Sequence, residues 1–203
     1  MSARLTAWRR TSDAAAARPQ VSATAGRATG TTVAVWFLAQ QADPFLRAGM
    51  RVSERGRDWL ALTGDDVTVT LRWRTQRLLL ARIHQLQVTA DVEKPLVTGA
   101  PASGELRLRA SGRASARGFR WQSRRGLSPA GLDGPAAAEL ARSVDLTSCT
   151  VTPRPGGWRI VVEPYAGSRL RVFFPPIHYA TTVRPEEAAT IMAAVGELHS
   201  ALA

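Results

Sequence analysis

The chain has 203 residues, 45% hydrophobic and 21% charged, which suits one folded domain with a real core and argues against wholesale disorder. Cys149 is the only cysteine, so an intramolecular disulfide and a cysteine-rich zinc site are both excluded. The formal net charge of +11 invites an anionic partner, while the longest apolar run, Val33 to Ala39, falls far short of the roughly 20 residues a membrane-spanning helix needs.

The charge is unevenly placed. Residues 1–30 carry five arginines against Asp13, and residues 101–130 carry seven against Glu105; the remaining 143 residues contribute +1. Arginine supplies all but one of the 27 basic residues, Lys94 being the exception, and asparagine is absent. That bias is what a GC-rich gene produces, so the preference for arginine over lysine is no sign of selection for phosphate recognition. The N-terminus lacks an apolar core of signal-peptide length next to its arginines, and the expected compartment is the cytoplasm.

Residues 1–30, small, polar and basic, read as a flexible tail ahead of a single domain over 31–203. Thr31 or Thr32 is placed to cap a short helix from Val33 to Gln41 that ends before Pro44. A strand is expected at Trp59–Leu62, a turn at Gly64-Asp65, and then the best strand pattern in the chain. There Val67, Val69, Leu71 and Trp73 alternate with Thr68, Thr70, Arg72 and Arg74, which puts one set on a core and the other in water. Thr75 to Val88 fits either a strand pair or a helical turn followed by a strand. Asp91 to Gly104 reads as a loop; Glu105–Ala110 and Gly118–Gln122 read as paired strands.

Pro135 stands where a first-turn proline belongs, ahead of a short helix over Ala136–Val144. Thr147–Thr152 is extended. Trp158–Glu163 and Ser168–Phe174 are expected to form a hairpin around Pro164–Gly167, followed by a further extended piece. Pro185-Glu186-Glu187 then opens a helix to about Ala201, with Ala188, Ile191, Val195, Leu198 and Leu202 at helical spacing. The sum is an α+β fold: a mostly antiparallel sheet of six to eight short strands in hairpins, packed by a C-terminal helix. A barrel of the pleckstrin-homology type is one way to arrange such hairpins.

Catalytic signatures are missing. Cys149 lies in an apparent strand, where a buried structural thiol is the simplest reading, and no serine sits in a Gly-x-Ser-x-Gly elbow. His84, His178 and His199 are too scattered for a local metal cluster, and no glycine-rich phosphate loop is present, so neither a metal nor another cofactor is expected. The sharpest candidate is an anion-binding surface made by Arg107, Arg109, Arg113, Arg117, Arg120, Arg124 and Arg125. Alternation puts Arg107 and Arg109 on one sheet face, and the facing strand adds Arg120. Trp121 is either a stacking platform or, with Phe119, part of the core. The alternative site is His178 with Tyr179, following Pro175-Pro176-Ile177, as the centre of a small enzyme.

Trp121 with Arg124-Arg125-Gly126, the run Trp158-Arg-Ile-Val-Val-Glu, Ala166-Gly167-Ser168, the Pro176-to-Tyr179 spacing and the closing helix together resemble an uncharacterised family of small bacterial proteins over residues 105–202. The resemblance implies a bacterial, cytoplasmic, single-domain protein and carries over no catalytic residue. The expected function is therefore a non-enzymatic module that binds an anionic or lipid-like ligand, or a protein partner, across an arginine-rich sheet face. A nucleic-acid-binding protein and a small enzyme at His178 are the alternatives.

Overall fold

The computed structural model describes residues 30–94, 105–111, 118–124 and 131–203; the basic tail over 1–29 lies outside them. One ten-stranded antiparallel sheet carries three helices, which fits the α+β class expected of the sequence. The elements run α1 (Gly30–Arg47), β1 (Arg51–Arg55), β2 (Trp59–Thr63), β3 (Thr68–Arg77), β4 (Ala81–Glu93), β5 (Glu105–Ser111) and β6 (Gly118–Arg124). Then follow α2 (Pro135–Ser143), β7 (Leu146–Arg154), β8 (Gly157–Pro164), β9 (Arg169–Val172), β10 (Ile177–Ala180) and α3 (Pro185–Leu202). The main path is β1-β2-β3-β4-β8-β7-β5-β6, with β9 and β10 added beside β4.

Period-two alternation decides which face is buried. Val69, Leu71, Leu86, Val88, Ile160, Val162, Cys149, Val151 and Leu106 share one face by register, and all are buried. They meet Phe45 and Leu38 of α1, Leu140 of α2, and Ile191, Val195 and Leu198 of α3 in a single core. All three helices therefore lie on this face. Among the described residues no helix or strand covers the other, whose central positions are Thr70, Thr89, Val161 and Thr150.

Polar side chains fix the helices to one another. Gly134 has no side chain with which to cap α2, and Glu197 of α3 does the work instead. Its two carboxylate oxygens accept the Ala136 and Ala137 amides at 3.0 and 3.2 Å. Fully buried Gln41 of α1 accepts the Val183 amide at 3.2 Å and donates to the Thr181 carbonyl at 3.4 Å, holding the segment that leads into α3. At the start of α3 the Arg184 amide donates to the Glu187 carboxylate at 2.9 Å.

Four expectations are corrected. The sheet is open, ending at β1 and β6, and is not a barrel; it also has ten strands rather than six to eight. Of the two readings open for Thr75–Val88 the strand pair holds, as the tip and part of both arms of one long hairpin, β3–β4. The first helix does not stop before Pro44 but runs to Arg47, because seating Phe45 in the core outweighs the one backbone hydrogen bond the proline removes. Finally, β8 and β9 do not pair with each other. Both lie along β4, end to end: Val88 faces Val162 and His84 faces Arg169, so residues 85–87 of β4 oppose the longer stretch 163–168. The extra chain bulges out at Pro164–Gly167, where Gly167 takes φ +80°.

Candidate functional site

The uncovered sheet face holds three arginines of the sequence-derived set. In the β5–β6 hairpin Arg107 faces Gln122 and Arg109 faces Arg120. Arg107 is not free: its Nε and Nη2 bond the Glu105 carboxylate at 2.9 and 2.8 Å. Arg109 and Arg120 are exposed and directly opposite each other, and neither has a carboxylate partner among the described residues. Arg124 pairs through its backbone with Glu105, while Arg113, Arg117 and Arg125 lie outside the described residues. Trp121 is on the opposite face, against the core, and donates its indole N–H to the Leu132 carbonyl at 2.9 Å. Its alternation with Arg120 foretold this.

Further along the same face the charges are consumed internally. Asp91 takes Arg159 at 2.8 and 3.1 Å and Arg154 at 3.3 Å, which raises the Arg159 pKa through that hydrogen bond. Glu163, only 2% exposed, accepts from Arg74 at 3.1 and 3.2 Å, Gln87 at 3.0 Å and Ser148 at 2.8 Å. Four hydrogen bonds from three side chains satisfy a buried charge, so this cluster reads as a structural lock where β8 leaves the sheet's main body.

The alternative site lies beyond that lock. There β3, β4, β9 and β10 form a four-stranded wing that meets α1 at Trp36 and Phe37. Register aligns Arg77, Arg82, Arg171 and His178 as one row across all four strands. The next row is Thr75, His84, Arg169 and Ala180. His84 bonds Thr75 through Nδ1 at 3.0 Å and is held below its ordinary pKa of 6.5, first by burial and then by Arg82 and Arg169. His178 and Tyr179 are exposed and border a shallow cavity of about 230 Å³ shared with Trp36, Phe37, Arg169 and Ala180. Phe37 stacks on Trp73 at 5.5 Å and lies 5.4 Å beneath the Arg169 guanidinium. No carboxylate lines this cavity among the described residues.

The arginine row of the wing was not apparent from sequence, since its members come from segments nearly a hundred residues apart. The only local sign was the unexplained run Arg77-Leu78-Leu79-Leu80-Ala81-Arg82. Cys149 is fully enclosed, and burial pushes its thiol up to about 12, the signature of an inert structural cysteine. No grouping of three or more metal-ligating side chains occurs among the described residues, and no described helix is long and apolar enough to cross a membrane.

Fold and site together define a one-sided α+β protein: helices on one sheet face, polar and cationic groups on the other. Residues 43–202 match the family described as a protein of unknown function, DUF3156, and the chain belongs to that family. The match reaches well upstream of the stretch on which the sequence resemblance rested, and takes in β1 to β4. No curated protein and no solved structure matches the chain.

Proposed function

We propose that this protein is a non-enzymatic binding module that takes an anionic ligand on its uncovered sheet face, at Arg109 and Arg120. The observation that carries this reading is the direct opposition of two exposed guanidinium groups lacking a carboxylate partner among the described residues. Like charges facing each other across a strand pair are destabilising, and a bound phosphate or carboxylate would turn that repulsion into two forked, charge-assisted hydrogen bonds. Arg107, already paired with Glu105, would add field rather than contact.

Catalysis gains little support. His178 is exposed beside a shallow cavity with no acid among its described lining residues, and the lone thiol is buried and protonated. The inward position of Trp121 removes the stacking platform that a nucleic-acid reading would use. Retention on phosphocellulose tests the proposal. The native protein elutes late, earlier as salt is raised, and the Arg109→Glu/Arg120→Glu variant elutes far earlier still. Unchanged elution of a folded double variant rules the site out.

A further inference from the structure

The β3–β4 hairpin turns through Leu78-Leu79-Leu80, where Leu78 and Ala81 exchange backbone hydrogen bonds of 2.8 and 3.4 Å. Tight hairpin turns favour Asn-Gly or glycine, which reach positive φ cheaply. Leucine does nothing for such a turn, and these leucines do not earn their place by burial either: Leu79 is 96% exposed and Leu80 53%. The neighbouring β9–β10 turn is similarly made, with Phe174 77% exposed and Ile177 50%. The Phe173 amide donates to the Leu80 carbonyl at 2.8 Å, so the two turns form one end of the wing. Single exposed apolar side chains are ordinary, but Leu78, Leu79, Leu80, Phe173, Phe174 and Ile177 gathered at one projecting end are not.

Immediately behind this end runs the row Arg77, Arg82, Arg171 and His178. None of the three arginines has a carboxylate partner among the described residues, and Arg171 lies 5.5 Å over the Phe173 ring. On the other face of the wing, Ile83, Leu170 and Tyr179 align across the strands, as do Ala81, Val172 and Ile177. The wing thus ends in an apolar tip, with a band of positive charge one residue further back.

We propose that this end of the sheet docks tip-first on an anionic lipid surface. The leucines and phenylalanines enter the boundary between headgroups and acyl chains, and Arg77, Arg82 and Arg171 meet lipid phosphates. Three features favour a bilayer over a protein partner. The tip is a projection rather than a groove, so it suits a surface that can close around it. The arginines are spread over three strands, and a headgroup layer offers phosphate at any spacing. Interfacial elements sink about 5–10 Å, and one residue of strand is about 3.4 Å, so the arginine band would sit near phosphate level with its stems along the chains. This contact is separate from the Arg109–Arg120 pair, which lies on the β5–β6 hairpin, reached from β4 through β8 and β7 rather than through β9 and β10.

Cosedimentation of the full chain with vesicles tests it. Binding is expected to vesicles of phosphatidylcholine mixed with phosphatidylglycerol, much weaker binding to phosphatidylcholine alone, and release by salt. Leu79→Glu/Phe174→Glu should lower the partition at least ~tenfold with an unchanged circular dichroism spectrum and melting midpoint, and Arg82→Glu/Arg171→Glu should do likewise on the anionic vesicles. Arg109→Glu/Arg120→Glu should bind vesicles as the native protein does. The proposal is overturned by an absence of sedimentation, by sedimentation indifferent to the tip substitutions, or by complete competition from inorganic phosphate, which would mean a free anion is the ligand. It is equally overturned if light scattering shows that the tip substitutions split a dimer that ignores vesicles.

Discussion

The two ends of β4 show what a covering layer does to one strand pattern. From Leu86 to Val92 every second side chain is buried beneath α1 and α3 and packed against β8, so the alternation makes a core. From Ala81 to Gln85 the ladder with β3 continues without a break, and beyond the bulge β9 takes up residues 81–84, but every side chain is only half-buried. The hydrogen bonds are of one kind throughout, whereas the packing thins to contacts such as Phe37–Trp73 and Trp73–His84. Apolar burial of about 25 cal/mol per Å² therefore stabilises the first half and scarcely reaches the second. A wing in this position is free to present leucine, phenylalanine and arginine to a partner, because the fold does not depend on hiding them.

That contrast can be broken at its hinge. Glu163 ties Arg74 and Gln87, from β3 and β4, to Ser148 of β7 at the point where the covered body gives way to the wing. Replacing it with alanine leaves the half-buried Gln87 and Ser148 donors without their acceptor. The exposure of Arg74 softens the loss of that ion pair. Glu163→Ala should cost about 2–3 kcal/mol, read as a lower urea midpoint. A change below about 0.5 kcal/mol, the range of ordinary surface substitutions, would mean the junction is not locked there.

A smaller effect sharpens the description of the wing itself. His84 is held below 6.5 in the folded protein, so the unfolded chain takes up the proton more readily. Its contribution to stability is complete above that ordinary value and is lost as pH falls through the folded one. Between about pH 7.5 and pH 5.5 the native protein should therefore lose more of its urea midpoint than His84→Gln, which keeps a hydrogen-bonding group near Thr75. Parallel pH profiles for the two proteins would show that neither burial nor the charges of Arg82 and Arg169 disfavour the protonated imidazole.

Local pattern carried much of the architecture. The alternation from Val67 to Trp73 marked β3 and its buried face, and the spacing of Ala188, Ile191, Val195 and Leu198 marked α3, where these four side chains are buried as that spacing requires. What stayed hidden was long-range. Nothing near Trp158–Glu163 reveals that its partner is β4, some seventy residues upstream, and Pro164–Gly167 looks like a hairpin turn although it is a bulge. The site divided in the same way. Alternation placed Arg109 and Arg120 on one surface and Trp121 on the other, because hairpin neighbours are legible from sequence. The row Arg77–Arg82–Arg171–His178 needed the β4–β9 pairing, which no local signal supplies.

The most direct test of the account is amide hydrogen exchange under native conditions, comparing the two halves of β4. If packing under the helices sets stability, amides over 86–92 and their partners in β8 should exchange only through global unfolding, while those over 82–84, 170–172 and 178–180 exchange through local opening, orders of magnitude faster. Equal protection along the whole of β4 would contradict it, for the hydrogen-bonded ladder alone would then hold the wing as firmly as the core.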